Sequence, residues 1–303
     1  MIADEKGAIV AAVRPGGFAL LNADDARGAD MAQRTSERIV TFGRANAADY
    51  RVSSVTASAG GTQLSIDTPM GGLEVETQFV AEHFWLPTVV AIAAASELGV
   101  PRETIVARAK TFEGLFTRFQ LRRTRNGPTF ILDTAKAPRD TLGLAFDALA
   151  RFDVPVKRIV LGQISDFAGA PRKVYRDAFR AASAIADQVI FVGEHAHRSM
   201  ASIEDRETGR FVECRTPRQV LDHLRGCAGS EDLILLKGSA NLHLERIALA
   251  WDQRVACWEP ACGIRMDCLR CGLLPHPFSR NRATQWLRRH ARLIFRKSVT
   301  NRR

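Results

Sequence analysis

Short apolar runs alternate with helical patterns over the second half of the chain. Five runs rich in Ile, Val, Leu and Phe are typical of buried strands: 129–134, 157–165, 188–193, 210–214 and 232–238. Apolar residues between them recur at helical spacing, first over 140–152, where Asp140 is the predicted N-cap, and then over 172–187. Strands that alternate with helices predict right-handed βαβ units and a mostly parallel, doubly wound sheet, which binds ligands at the carboxyl ends of its strands.

The first hundred residues follow a different pattern. An apolar run over 18–21 leads into Asn22, Asp24 and Asp25, which either form a turn or serve a ligand site at the end of the strand. Gly and Asn turns then separate short strands, as in a meander: 38–43, 50–58, 61–69 and 72–80. Two helices follow over 83–100 and 101–112, with Pro101 in the first turn of the second.

Composition indicates an intracellular globular protein with one unusual tail. The 303 residues are 46% apolar, and the longest apolar run, 84–95, is too short to span a bilayer. The first residues of the sequence do not have the pattern of a signal peptide, so we expect a cytoplasmic protein. Nine of the ten net positive charges lie in residues 279–303, which contain no Asp or Glu.

The basic tail also has an apolar face at helical spacing, formed by Trp286, Leu287, His290, Leu293 and Ile294. A basic amphipathic segment of this kind is typical of contacts with an anionic membrane, nucleic acid or an acidic protein. The alternative is a solvated terminus without a partner.

A cysteine array precedes the tail. Cys257, Cys262, Cys268 and Cys271 form the pattern C-x4-C-x5-C-x2-C, whose second half is typical of a zinc knuckle. In a reducing cytoplasm four clustered cysteines favour a Zn²⁺ site over disulfides. Such a site would be structural, because four thiolates leave no position for water. The alternative is a set of buried or free thiols. We expect His243, in "NLHLERI", to lie on a helix in a structural role.

Seven motifs in order carry a family resemblance over residues 1 to about 250. They are "DEKGAIV" (4–10), "GGFALLNADD" (16–25), "EHFWLPTVVAIAAASELGV" (82–100), "GLFTRFQ" (114–120), "LDTAKAP" (132–138), "VLGQISDFAG" (160–169) and "LKGS" (236–239). Together they resemble the Mur ligases, most closely the branch that adds D-alanyl-D-alanine to the UDP-N-acetylmuramoyl peptide.

The resemblance implies an α/β fold with a partial central domain over 1–110 and a Rossmann-like, mostly parallel C-terminal domain over 111–253. The cysteine spacing and the charge pattern add a small four-cysteine zinc ribbon over 254–275 and a basic tail over 276–303. It also implies an ATP-dependent amide-bond ligase of cell-wall precursor synthesis that joins a small-molecule acid and an amine. In this chemistry ATP phosphorylates the acid and the amine attacks the acyl phosphate, with Mg²⁺ and basic groups stabilising the negative charge.

The matched positions imply individual roles. Lys6 corresponds to the family lysine that becomes carbamylated and holds a second Mg²⁺, and Lys136 replaces the histidine of D-Y-A-H-N-P, where it would meet a phosphate or an acidic substrate group. Four residues correspond to the nucleotide-binding positions: Asn22, His83, Arg118 and Asp133. Lys237 and Ser239 follow a strand, facing the expected ligand crevice, and are the predicted substrate-binding pair.

The departures from the family pattern qualify this activity. No G-x-x-x-x-G-K-S/T phosphate loop occurs in the sequence, and Phe84 and Pro87 stand where H-N-x-x-N has asparagines. The chain therefore corresponds to the C-terminal two thirds of a ligase: a truncated product, a sequence with a wrongly assigned start, or one half of a split enzyme whose P-loop portion is encoded upstream. We expect the chain alone to be incomplete for catalysis. The alternative is a non-catalytic, ligase-derived binding module that docks through its zinc ribbon and basic tail. The sequence does not name the acid or the amine.

Overall fold

The computed structural model describes residues 2–260, 262–264, 267–288 and 290. The chain forms two compact units, Met1–Gly114 and Leu115–Arg303. The domain boundary expected at 110/111 thus lies within the last residues of the first unit.

The first unit contains a five-stranded sheet in the order β1-β2-β3-β4-β5. Its strands are β1 (Phe18–Asn22), β2 (Arg38–Gly43), β3 (Tyr50–Ser58), β4 (Gly61–Thr68) and β5 (Gly71–Thr77). The meander prediction is correct for β3, β4 and β5, which pair antiparallel, and wrong for β2, which is parallel to both β1 and β3. The period-2 pattern locates a strand, but it does not determine the direction of the neighbouring strand.

Four helices accompany this sheet: α1 (Ile2–Ala11), α2 (Gly28–Ala32), α3 (Trp85–Glu97) and α4 (Arg102–Ala109). The core of this unit contains Val89 and Ile92 of α3 together with Leu64 and Ile66 of β4. Pro101 stands one residue before α4, as its N-cap, and not within the first turn.

The second unit contains a six-stranded sheet in the order β10-β9-β8-β11-β7-β6. Its strands are β6 (Gln120–Arg123), β7 (Thr129–Asp133), β8 (Val156–Leu161), β9 (Gln188–Val192), β10 (Phe211–Cys214) and β11 (Asp232–Lys237). All pairs are parallel except β6 with β7. The mostly parallel sheet predicted from the uninterrupted apolar runs is confirmed, because strands covered on both faces need apolar residues at every position.

Between residues 142 and 252 the second unit has the helices α5 (Leu142–Ala150), α6 (Pro171–Ser183), α7 (Ile203–Glu207), α8 (Pro217–Cys227) and α9 (Glu245–Asp252). Asp140 was predicted to cap α5, but it lies inside a 3-10 turn that precedes the helix. The N-cap is Thr141, whose N–H and hydroxyl both donate to the carbonyl of Pro138 at 3.1 Å.

The cysteine-bearing segment 254–275 packs onto α9. Cys268 and Leu274 are buried against Leu249, and the N–H groups of Ala256 and Cys257 both donate to the carbonyl of Leu274. The described residues of this segment form turns and irregular backbone, and not the β-strands of a ribbon. Side-chain burial on α9 therefore takes the place of strand pairing.

Of the tail, residues 282–288 are helical, and the ring of Trp286 stacks on His290 at 4.6 Å between centroids. Leu293, Ile294 and five of the basic positions predicted for this segment lie beyond residue 290, outside the described residues. None of the helices within the described part of the chain combines the length and apolar character needed to cross a membrane.

Candidate active site

The loops after β7 and β11 run side by side at the carboxyl end of the second sheet, because these strands are hydrogen-bonded neighbours. The N–H of Gly238 donates to the carbonyl of Asp133 (3.3 Å), and the N–H of Ala240 donates to the carbonyl of Ala135 (3.2 Å). The pairing thus continues beyond the strands. Four residues predicted from separate motifs share this loop pair: Asp133, Lys136, Lys237 and Ser239.

The ammonium group of Lys237 is buried and bonded to other groups of the protein. Its side chain is only 5% exposed, and Nζ donates to Oδ2 of Asp133 at 2.6 Å and to the carbonyl of Lys136 at 2.9 Å. A buried ammonium requires such partners, since leaving it unpaired costs several kcal/mol. Lys237 therefore joins the ends of β7 and β11, and the substrate contact predicted for it stays a prediction. The Lys136 side chain is exposed beside this pair, and Ser239 is half-buried at the start of a 3-10 turn.

A cavity of about 1010 Å³ opens next to the same loops, entirely within the second unit. Its wall has two parts. The first comes from the strand-end loops and the segment before β6, and includes Arg118, Thr134 and Ala240. The second comes from the cysteine-bearing segment and includes Asp267 and Arg270.

Arg118 reaches this cavity from a strained backbone. Its neighbours Thr117 and Phe119 have φ of 68° and 54°, in the left-handed region that residues other than glycine rarely adopt. The surrounding structure fixes both residues: the carbonyl of Thr117 accepts the N–H groups of Thr134 and Ala135 at 3.1 Å, and Phe119 is buried. Such strain is maintained only where the fold holds it, and it is common at ligand sites. The backbone on both sides of Arg118 is thus fixed, and its exposed side chain lies at the cavity wall.

Glu245 connects both parts of the wall. It is buried, and its carboxylate accepts the N–H of Cys268 (3.3 Å) and the hydroxyl of Thr134 (3.4 Å) and lies 3.4 Å from Nδ1 of His243. Burial alone would raise the pKa of Glu245, but the hydrogen bonds from His243 and from backbone N–H hold that pKa below its ordinary value. A single carboxylate therefore links the end of β7, the loop after β11 and the cysteine-bearing segment.

The four cysteines of the predicted zinc site surround a second, small cavity together with His243. Sγ of Cys262 lies 3.2 Å from Nε2 of His243, and Sγ of Cys268 lies 3.4 Å from Nδ1. Among the described residues, the group of potential ligands within 4.8 Å of one another is His243, Glu245 and Cys268. Only Cys268 of that group belongs to the predicted set.

His243 departs from the helical conformation expected for it. It stands between a 3-10 turn and α9, with φ of 50° and ψ of 47°. This left-handed residue turns the chain into α9, and it places the ring between Cys262 and Cys268.

Arg246 adds a positive charge to this cluster. It is buried, its Nε donates to Sγ of Cys268 at 3.0 Å, and its Nη1 donates to the carbonyl of Glu259 at 2.8 Å. Burial raises the pKa of the Cys268 thiol well above its usual range, and the nearby Glu245 carboxylate adds to the effect, whereas Arg246 opposes it.

In the first unit, polar side chains of the turn after β1 accept hydrogen bonds from the protein's own backbone. Oδ1 of Asn22 accepts the N–H of Asp24 at 2.9 Å. The Asp24 carboxylate accepts the N–H groups of Arg44 (2.9 Å) and Ala45 (2.8 Å), which follow β2. Of the two interpretations of this stretch, the structure shows the turn, and it commits Oδ1 of Asn22, a predicted nucleotide ligand, to that turn.

Two further predicted residues lie in the first unit. Lys6 is exposed on α1, and His83 is half-buried in a 3-10 turn with its ring 4.7 Å from that of Phe84. The remaining predicted site residues, Arg118 and those after it, belong to the second unit.

Sequence reasoning missed Glu245 and Arg246 as members of the site. The signal was the placement of two adjacent charges inside the otherwise apolar run from Leu242 to Ala250. Charged residues in such a run have to be paired when the helix is buried, so they mark a polar cluster.

A mostly parallel sheet with a cavity at the carboxyl ends of its strands defines an α/β protein of the class that binds nucleotides and other small ligands there. Comparison with known proteins is more specific. Residues 1–95 match the Mur ligase middle domain, and residues 117–240 match the Mur ligase glutamate ligase domain. The chain belongs to the Mur ligase family.

Individual relatives agree with this assignment. Over 232 residues the chain is 25% identical to the UDP-N-acetylmuramoyl-L-alanyl-D-glutamate–2,6-diaminopimelate ligase of Halalkalibacterium halodurans, covering 75% of this chain and 47% of that protein. The chain thus spans about half the length of the relatives it matches.

Two solved structures share the fold. The UDP-N-acetylmuramoylalanyl-D-glutamyl-2,6-diaminopimelate–D-alanyl-D-alanyl ligase of Acinetobacter baumannii superposes with a TM-score of 0.71 at 22% identity, covering 82% of this chain and 54% of that one. The MurF ligase of Thermotoga maritima, in complex with ADP, gives 0.68 at 16% identity, with coverages of 82% and 56%.

Proposed function

We propose that this chain forms part of an ATP-dependent amide-bond ligase of cell-wall precursor synthesis, acting in the cytoplasm. A carboxylate oxygen of the acid attacks the γ-phosphorus of ATP and ADP leaves. The amine of the second substrate then attacks the acyl carbon, and phosphate leaves as the amine loses a proton. Membership of the Mur ligase family supports this proposal, and the branch that adds D-alanyl-D-alanine is our first choice because of the motif resemblance.

The observation that carries the proposal is the position of Arg118. An exposed arginine in a cavity wall at the carboxyl end of a parallel sheet fits a phosphate group, which its guanidinium can bind through two parallel N–H donors. Arg270 lies in the other part of the cavity wall, where it is paired with Asp267 at 3.4 Å. Both carboxylates in the described lining already have partners: Glu245 accepts hydrogen bonds from Thr134 and Cys268, and Asp267 is paired with Arg270.

The remaining roles follow from the family resemblance and the geometry together. We assign to Lys136, exposed beside the Lys237–Asp133 pair, a contact with a phosphate or an acidic substrate group. Lys6, exposed on α1, is the proposed carbamylation site, whose added carboxylate would bind Mg²⁺. Asp133 and Lys237 act as a pair that fixes the loops. His83 stays a proposed nucleotide contact, and Ser239 a proposed substrate contact.

A binding measurement tests the role of Arg118. Isothermal titration of the chain with Mg²⁺–ATP, combined with the upstream-encoded P-loop portion where one exists, gives the reference affinity. We expect Arg118→Met to weaken binding at least about tenfold, which corresponds to about 1.4 kcal/mol. Arg180→Met, on the exposed face of α6, is the matched control and should bind as the wild type does. Equal affinity of wild type and Arg118→Met would remove the basis of the proposal.

The coding sequence upstream of Met1 decides how the chain obtains a phosphate loop. A G-x-x-x-x-G-K-S/T sequence there, in frame or in a neighbouring gene, predicts phosphate release from ATP only when both portions are present. Without such a partner, no ATP turnover is expected, and the non-catalytic binding module becomes the better hypothesis. In that case the basic segment 276–303 is the proposed contact with an anionic partner.

A further inference from the structure

The cluster around His243 has no role in the proposed ligase chemistry, and it brings one histidine and four cysteines around a single small cavity. We propose that it binds one structural Zn²⁺ through the thiolates of Cys262, Cys268 and Cys271 and through Nε2 of His243. This site differs from the four-cysteine site predicted from the sequence: His243 replaces Cys257.

One separation of the proposed ligand atoms has the length of a tetrahedral edge. Sγ of Cys262 lies 3.2 Å from Nε2 of His243, whereas Sγ of Cys268 lies 3.4 Å from the other ring nitrogen, Nδ1, so Cys268 would have to shift toward Nε2 when the ion binds. A tetrahedron with Zn–S bonds of about 2.3 Å and Zn–N bonds of about 2.0 Å has sulfur–nitrogen edges of about 3.5 Å. All five candidate side chains line one cavity of about 10 Å³, which is room for a single small ion.

Two cysteines have the local backbone of a metal-binding turn. Cys262 and Cys271 are each followed by a glycine with positive φ, 72° at Gly263 and 71° at Gly272. A side chain at either position would be strained, so the chain can turn back sharply after each cysteine. The N–H of Leu273 donates to Sγ of Cys271 at 3.4 Å, a bond that also stabilises negative charge on a bound thiolate.

Cys271 completes the ligand set through its spacing from Cys268. Two residues between the cysteines let both sulfurs bind one ion. Both Cys257 and Cys271 line the cavity, and the C-x2-C spacing favours Cys271 as the remaining ligand. We therefore leave Cys257 as a thiol, buried where the segment returns to Leu274.

The surrounding polar groups support the ligands. The Glu245 carboxylate lies 3.4 Å from Nδ1 of His243, the arrangement that orients a zinc-bound imidazole so that Nε2 faces the metal. Nε of Arg246 donates to Sγ of Cys268 at 3.0 Å. Three thiolates around one Zn²⁺ carry a net charge of about −1, and the buried Arg246 guanidinium offsets this charge inside the protein.

The metal would fix one wall of the large cavity. Residues 260–270 carry Asp267 and Arg270 into that wall, and no strand pairing holds the described residues of this stretch. Four protein ligands leave no coordination position for water, so the ion would act as a structural cross-link between the loop after β11 and the cysteine-bearing segment.

The test begins with the full chain, purified without chelators. Inductively coupled plasma mass spectrometry should find one zinc per chain. After metal removal, titration with Co²⁺ should give the visible bands of a tetrahedral site and an ultraviolet sulfur-to-cobalt band that saturates at one equivalent. Absence of these bands from a chain whose circular dichroism shows it to be folded would overturn the proposal.

Variants then test the ligand set. Cys262→Ser and His243→Ala should lose stoichiometric metal, and Cys257→Ser should keep it. Cys227→Ser, exposed and outside the cavity, is the matched control. Glu245→Gln should weaken zinc binding about ten- to a hundredfold. Retention of zinc by His243→Ala together with its loss from Cys257→Ser would overturn the assignment of His243 and restore the four-cysteine site. Neither result depends on ATP binding, so the zinc proposal and the ligase proposal fail separately.

Discussion

The Lys237–Asp133 pair can be separated experimentally from a substrate-binding role. Lys237→Met removes the ammonium and keeps a side chain of similar length, so the site is not emptied. Asp133 then loses its partner, and the ends of β7 and β11 lose the bond between Nζ and Oδ2 at 2.6 Å. If the pair is structural, the main effect will be on stability.

The expected cost follows from burial. Removing one partner of a buried ion pair typically costs about 3–5 kcal/mol, because the other charge is left without compensation. Asp133 keeps 15% of its side chain exposed, so water can solvate it partly, and we expect the lower end of this range, about 3 kcal/mol. The assay is urea unfolding, with the transition of the second unit followed through the fluorescence of Trp251 and Trp258.

A double-mutant cycle identifies the interaction. Lys237→Met and Asp133→Asn combined should cost less than the two single changes added, by about 1–3 kcal/mol. Lys136→Met is the matched control: its side chain is exposed, it contributes only its backbone carbonyl, and the change should stay within about 0.5 kcal/mol. Additive single changes, or a Lys237→Met protein of unchanged stability that no longer binds substrate, would refute the structural interpretation.

Two further predictions concern a backbone position and a titrating group. Gly61→Ala should lower the free energy of unfolding by about 2–3 kcal/mol, because Gly61 has φ of 134° and a Cβ there would collide with the carbonyl oxygen of Thr77. Gly60→Ala is the control: its Cβ would meet only the Ser58 hydroxyl, at 3.6 Å, so the change should be nearly neutral. Burial lowers the pKa of His223, which bonds Gln188 at 3.1 Å, below its ordinary 6.5. The unfolded chain therefore binds the proton first, and stability should fall as the pH drops below about 6.5 in urea unfolding of the wild type. His223→Gln should reduce this decline, and an unchanged pH dependence would contradict the assignment.

The sheet of the second unit could be predicted because its signal is local. The run 188–193 is apolar at nearly every position, and this pattern alone indicates a strand covered on both faces. The strands of the first unit were located equally well, and 38–43 and 50–58 have the predicted bounds. The direction of their pairing could not be predicted, because β2 runs parallel to β1 and β3. Strand direction depends on the path of the connecting segments, and apolar periodicity carries no information about that path.

The candidate site could be predicted only as separate positions. Asp133 and Lys237 were each placed at the end of a strand, but their pairing depends on β11 lying directly between β8 and β7. The order of the strands along the chain does not indicate that β11 lies between β8 and β7. The cysteine spacing likewise indicated a metal site, whereas His243 joins it through a left-handed turn that no spacing rule describes.

The two parts of the wall of the large cavity come from different segments of the chain, and they would contribute differently to specificity. Arg118 and Thr134 lie inside the matched range 117–240, but Asp267 and Arg270 lie beyond it, in the cysteine-bearing segment. Phosphate binding would depend on the shared part, which the sheet and its strained loops hold rigid. The other wall brings an acidic and a basic group, 3.4 Å apart, that the matched family domain does not include. A zwitterionic or charged amine substrate would meet those groups first. Because the segment is joined to the sheet through Glu245 and through the proposed zinc, loss of the metal should alter the choice of substrate before it alters the binding of nucleotide.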